Sequence, residues 1–111
     1  MKINRGWLAR HHACSQDRAG FTALFGRGAT VEVAPLTLYA AFGAGLDLVW
    51  FASQFIEDLN PGESDAAWDA REVEYGQLDN ANPEWSSTAT PADFVKYLLG
   101  LVKRYEKAGL K

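Results

Sequence analysis

The groups in this chain best suited to chemistry crowd into one stretch, His11-His12-Ala13-Cys14-Ser15. A structural zinc site needs four ligands at characteristic spacing, and the whole chain holds two His and one Cys. Adjacent histidines also point to different sides of a helix, so the expected arrangement is surface histidines beside a buried thiol. Cys14 or Ser15 near His11 or His12 can be drawn as a nucleophile and its base, but nearness along the chain does not supply a dyad's geometry. Carboxylates for acid–base work are so many between Glu57 and Asp93 that no two stand out. Gly26-Arg27-Gly28 is followed by no Lys-Ser or Lys-Thr and preceded by no clear strand, so it is not a phosphate loop. The expectation is therefore a protein with no enzymatic activity, metal or cofactor.

The elements that hold these residues read as short helices. Residues 4–13 suggest a first helix carrying Trp7 and Leu8 inward. Ser15 is a plausible N-cap for a second, with Asp17 favourable in its first turn. Cys14, Phe21, Leu24 and Phe25 make its stripe, and Gly26 and Gly28 end it. Thr30-Val31-Glu32-Val33 is ambiguous. Its alternation suggests a strand, but four residues without an evident pairing partner make a poor sheet. The favoured reading is a helix starting between Thr30 and Pro35 and ending at Gly43, with Leu36, Leu38, Tyr39 and Phe42 buried.

Residues 33–56 carry one charge, Asp47, and are long enough to suggest a membrane span. Pro35, Gly43 and Gly45 interrupt the run, and a central carboxylate costs about 2.5–3.5 kcal/mol in a bilayer. Two core helices joined by a glycine corner fit better, with Asp47 at the start of the second. That second helix is apolar on most sides, which suits the centre of a bundle, and Trp50 should be largely buried there. Asn60-Pro61-Gly62 stops it. Ser64 caps a segment in which Trp68, Val73 and Tyr75 are the larger apolar groups, enough for a marginal helix only. Residues 79–90 read as a polar loop anchored by Trp85. Thr90-Pro91-Ala92-Asp93 is a strong helix start, and Phe94, Leu98, Leu101, Val102 and Tyr105 follow on one face, with Gly109 as the stop.

At 111 residues the chain reads as one mostly α domain, residues 1–111, with four to six short helices around one core. The start, MKINRGWLARHHACSQDR, has no continuous apolar stretch of the signal-peptide kind, and one Cys allows no internal disulfide. A cytoplasmic location is expected.

Charge is the feature that rises above this background. The net charge of −3 hides ten Asp/Glu between Glu57 and Asp93, opposed there by Arg71 alone. Such a segment can be simply a solvated face. Its interleaved aromatics argue for an interface, since aromatics are enriched at binding hot spots. The candidate partner-binding residues are Glu63, Asp65, Trp68, Asp69, Glu72, Glu74, Tyr75, Asp79, Glu84 and Trp85. An acidic, aromatic face suits a partner with a basic groove, and charge would steer the encounter. Direct nucleic-acid binding is not expected, because the basic residues sit toward the two ends of the chain and form no stripe.

Residues 13–52 resemble a module of small phage and prophage proteins, in which an Ala-Cys begins a helix ending in Phe and Gly and a Gly-Leu-Asp-Leu-x-Trp element follows. The matching residues are Ala13, Cys14, Phe21, Phe25, Gly28, Gly45, Leu46, Asp47, Leu48 and Trp50. They are core and turn positions and carry no catalytic residue across. The resemblance implies a phage context, and small acidic phage proteins resemble anti-defence inhibitors of the anti-CRISPR or anti-restriction kind. With the acidic segment, this gives an expected interaction protein that blocks a basic nucleic-acid-binding surface of a host protein or nucleoprotein complex. The alternatives are a small structural or assembly protein of a phage particle, and a minor enzyme or metal-binding domain around His11, His12 and Cys14.

Overall fold

A computed structural model describes residues 1–110. The protein is mostly helical, with six helices and one two-stranded ribbon among the described residues. The chain divides into two compact units, Met1–Leu48 and Val49–Lys111.

In the first unit, β1 (Lys2–Asn4) pairs antiparallel with β2 (Thr30–Glu32), Ile3 lying opposite Val31. The Thr30–Glu32 segment, ambiguous in the sequence, is therefore strand, and the helix expected to start between Thr30 and Pro35 starts at Pro35 and ends at Gly43 as expected. The partner the strand lacked in the sequence is Lys2-Ile3-Asn4, which sits far off along the chain and buries Ile3. Asn4 ends β1 and caps α1 (Arg5–Arg10), its side-chain oxygen accepting from the Trp7 N–H at 2.8 Å. α1 stops short of the expected residue 13 because His12 adopts a left-handed φ of 63°.

Cys14, not Ser15, is the N-cap of α2 (Ser15–Phe25), its sulfur accepting from the Asp17 N–H at 3.4 Å. A cap lies outside the helix stripe, so this thiol is exposed rather than buried. Only Phe21 of the expected α2 stripe is fully buried. At Gly20 a Cβ would meet the end of the Leu46 side chain at 2.6 Å, so a larger residue there requires that side chain to shift. α3 (Pro35–Gly43) buries Leu38 and Ala41. Leu36 and Tyr39, expected in the core, face outward instead. Gly45 turns the following corner with a φ of 75°.

The second unit is three helices, α4 (Leu48–Leu59), α5 (Asp65–Ala81) and α6 (Pro91–Lys107). Asp47 directly precedes α4, at the helix start where the sequence placed it. The most deeply buried apolar groups of this unit are Ala52, Phe55 and Ile56 of α4, Leu78 of α5, and Phe94, Leu98, Leu101 and Tyr105 of α6. Phe55 is the hub, edge-on to Phe51 at 4.8 Å and to Tyr105 at 4.9 Å. Trp50 is only partly buried.

α6 starts as its sequence dictates. Thr90 Oγ1 accepts from the Asp93 N–H at 3.2 Å, and the Asp93 carboxylate accepts from the Thr90 N–H at 2.8 Å. α5 departs from expectation by continuing through Asp79-Asn80-Ala81, so the loop begins at Asn82. Among the described residues no helix is long and apolar enough to cross a membrane.

Candidate interaction surface on α5

Ten acids lie between Glu57 and Asp93, and the structure sorts them into two groups. Four are engaged within the fold. Glu57 accepts from the Tyr75 hydroxyl at 2.6 Å, and the Tyr105 hydroxyl reaches Asp58 at 3.4 Å. Asp93 caps α6. Glu74 is the most tightly held: Arg104 grips it through both guanidinium nitrogens, at 2.6 and 3.1 Å, and the Tyr97 hydroxyl donates to it at 2.8 Å. The Arg104 hydrogen bond holds the Glu74 carboxyl below the usual carboxylate range, against the opposing effect of burial. Burial and the Glu74 contact push the Tyr97 hydroxyl well above the ordinary tyrosine value, and burial and Glu57 do the same for Tyr75.

Of the ten candidate partner-binding residues, Glu74 and Tyr75 therefore do not form a free surface. Their polar groups bolt α5 to α6 and to α4. The six remaining carboxylates, Glu63, Asp65, Asp69, Glu72, Asp79 and Glu84, are all exposed. Among the described residues none of the six takes part in an ion pair. Asp65, Asp69, Glu72 and Asp79 follow steps of four, three and seven residues, which puts them on one line along α5. At 1.5 Å per residue that line is about 21 Å long. Glu63 lies just before the helix and Glu84 just after it.

Arg71 could have neutralised this line, and it does not. Its side chain is 6% exposed and donates to the backbone carbonyls of Asn60 and Gly62. Those carbonyls belong to the turn leaving α4, where helix-end acceptors lack intrahelical donors. The third contact, to Glu57, is long at 3.6 Å. The one cation of the segment is thus turned inward and the field of the six acids is left standing.

Aromatic and aliphatic groups flank the line. Trp68, 52% exposed, lies on one side with its ring 4.3 Å from the Arg71 guanidinium carbon. Val73, one of the segment's larger apolar groups, lies on the other side and is 61% exposed. Trp85, expected to anchor its loop, is 71% exposed. Asn82 anchors that loop in its place: it is buried, its side-chain oxygen accepts from the Glu84 N–H at 3.0 Å, and its carbonyl accepts from Trp85 and Ser86. A buried Asn hydrogen-bonding two residues ahead is a common turn device. The Asp-Asn-Ala-Asn-Pro sequence signals a turn, yet several of its residues could have filled the role.

His11 stacks on Trp7 at 3.9 Å between ring centres, and Cys14 donates to Asp17 at 3.2 Å. Among the described residues no group of three or more His, Cys, Asp or Glu is placed to hold a metal ion. An open groove of about 370 Å³ runs between α5 and α6, lined by Gln77, Asp93, Lys96, Tyr97, Gly100 and Arg104. Asp93, Tyr97 and Arg104 are already committed to the cap and to Glu74. No protein family, curated protein or solved structure matches this chain.

Proposed function

We propose that the protein is a non-enzymatic interaction protein whose α5 face engages the basic, nucleic-acid-binding surface of a host protein or nucleoprotein complex. In this reading it acts in the host cytoplasm as a phage-type anti-defence inhibitor of the anti-CRISPR kind. One observation carries it: four exposed carboxylates run along α5 with Glu63 and Glu84 at its two ends, none of the six in an ion pair among the described residues, while the segment's only cation is buried against backbone carbonyls. Like charges three and four residues apart cost a helix stability, and Asp79 sits in the last turn, where the dipole disfavours an anion. A row that costs stability and makes no ion pair among the described residues is explained by a partner. Trp68, Val73 and Trp85 give that partner apolar surface beside the charge.

The test is capture from host lysate at low salt, comparing the wild type with Asp69→Lys/Glu72→Lys/Asp79→Lys/Glu84→Lys. The proposal expects nucleic-acid-binding proteins in the wild-type capture, their loss in the variant, and their displacement by added duplex DNA. Equal capture by the two proteins, or capture indifferent to DNA, contradicts it.

A further inference from the structure

α3 is apolar on both sides. Leu38 and Ala41 point into the first unit, while Leu36, Tyr39, Ala40 and Gly43 form an outward stripe at spacings of three, four and seven residues. Leu36 is 79% exposed, the highest value among the large hydrophobic side chains. From Val33 to Leu46 the chain has no Asp, Glu, Lys or Arg. A surface helix ordinarily turns a polar face to water, so this stripe lacks an occupant.

The order of sizes along the stripe says which one. Leu36 and Tyr39 are large and stand in the first half of α3; Ala40 and Gly43 are small and stand in the second. A two-fold axis through the middle of the stripe sets two copies antiparallel, placing Leu36 opposite Gly43 and Tyr39 opposite Ala40. Every bulky side chain then meets a gap, which is the self-complementarity an isologous contact requires. The gap at Gly43 is open, with no atom within 4 Å of where a Cβ would stand. Charge points the same way. Two copies meeting through the α5 line would set acid against acid, whereas two α3 stripes bring no charges together, and antiparallel helices place opposite dipole ends side by side.

We propose that the outward stripe of α3 is a docking surface for a second copy of this chain. It does not depend on the reading of α5. The contact is small: nine residues make a helix about 13 Å long, and the strip it can bury is on the order of 300 Å² per copy. A standard stable interface buries about 800 Å² per partner, so the dimer is weak and forms reversibly.

The test is sedimentation equilibrium of the full chain from about 20 μM to about 1 mM, the range in which weak contacts populate, at about 0.5 M salt to screen the acids. The expected mass rises from the monomer value of 12.2 kDa toward twice that value. Leu36→Asp should weaken association at least about tenfold, because it sets a charge in an apolar contact. Gly43→Leu has room in the free protein and should also weaken it, by filling the gap that receives Leu36. The exchange Leu36→Gly/Gly43→Leu should restore it, since large again faces small, and thermal melts check that each variant folds. A monomer at every concentration overturns the proposal. So does stronger association of Gly43→Leu, the mark of unspecific apolar adhesion. Dimerisation unmoved by Leu36→Asp, or uptake by phosphatidylcholine vesicles without dimerisation, overturns it as well.

Discussion

Arg71 sits beside the acids it could have paired with and donates instead to the Asn60 and Gly62 carbonyls. Arg71→Met removes those bonds and leaves the turn's acceptors without a buried donor. Hydrogen bonds to a charged group are worth about 1.5–3 kcal/mol, and the variant should lose stability of that size in urea denaturation. Arg71→Lys should recover only part, because an ammonium cannot span two carbonyls as a planar fork does. Trp68→Ala removes the ring from over this guanidinium and should cost about 0.5–1 kcal/mol. Trp85→Ala should change stability by less than about 0.5 kcal/mol, as surface substitutions do. A large drop in melting temperature for Trp85→Ala would restore the anchoring role its sequence suggested.

The acid stability of the fold should depend on Glu74. Its folded pKa lies below the ordinary value of 4.5, chiefly through Arg104. The stabilisation is therefore full above that value and is lost as pH falls through the lowered folded pKa. Glu74→Gln should flatten the decline in stability below pH 4.5, whereas an unchanged acid limb would mean that the Arg104 contact is not held in solution. At the alkaline end the signs reverse. Tyr75 and Tyr97 are raised above 10, so their contribution is intact below pH 10 and fades above it.

At the scale of elements, what the sequence disclosed follows from how each helix is held. α6 was legible because its cap is local and its inner face is apolar: Thr90, Pro91 and Asp93 start it, and Phe94, Leu98, Leu101 and Tyr105 bury it. Thr90→Ala should cost about 0.5–2 kcal/mol through loss of that cap. α5 was underestimated because much of its inner face is polar. Arg71, Glu74 and Tyr75 fix it through hydrogen bonds, which hydrophobic periodicity does not detect. The same feature misplaced two of the ten candidate residues: Glu74 reads as one more acid until Arg104 and Tyr97 are seen around it, and Tyr75 as one more aromatic until Glu57 is. The β1–β2 ribbon was missed because a three-residue strand carries little signal and its partner is remote. α3 was read too simply, since an all-apolar helix suggests a core position and here half of its circumference faces water.

The acid line on α5 makes an element-scale prediction. Asp69→Asn or Glu72→Gln relieves like-charge contacts worth about 0.2–0.5 kcal/mol in a helix. Each substitution should raise stability slightly while weakening the partner complex. Opposite signs in the two measurements would mark residues kept for binding, and a solvated face would show the first effect without the second.

For the whole molecule, the small net charge of −3 understates the field, because the surplus acids of the second unit lie together and Arg71 is turned away from them. Steering depends on that summed field and therefore appears in the association rate. The decisive measurement is the association rate constant with the captured host partner, at about 0.05 M and about 0.5 M salt, for the wild type and the four-Lys variant. The wild type should associate at least about tenfold faster at low salt than at high salt, and the variant should be slow at both. A correctly folded variant that associates at the wild-type rate at low salt would contradict the account and leave the α5 acids as a solvated face.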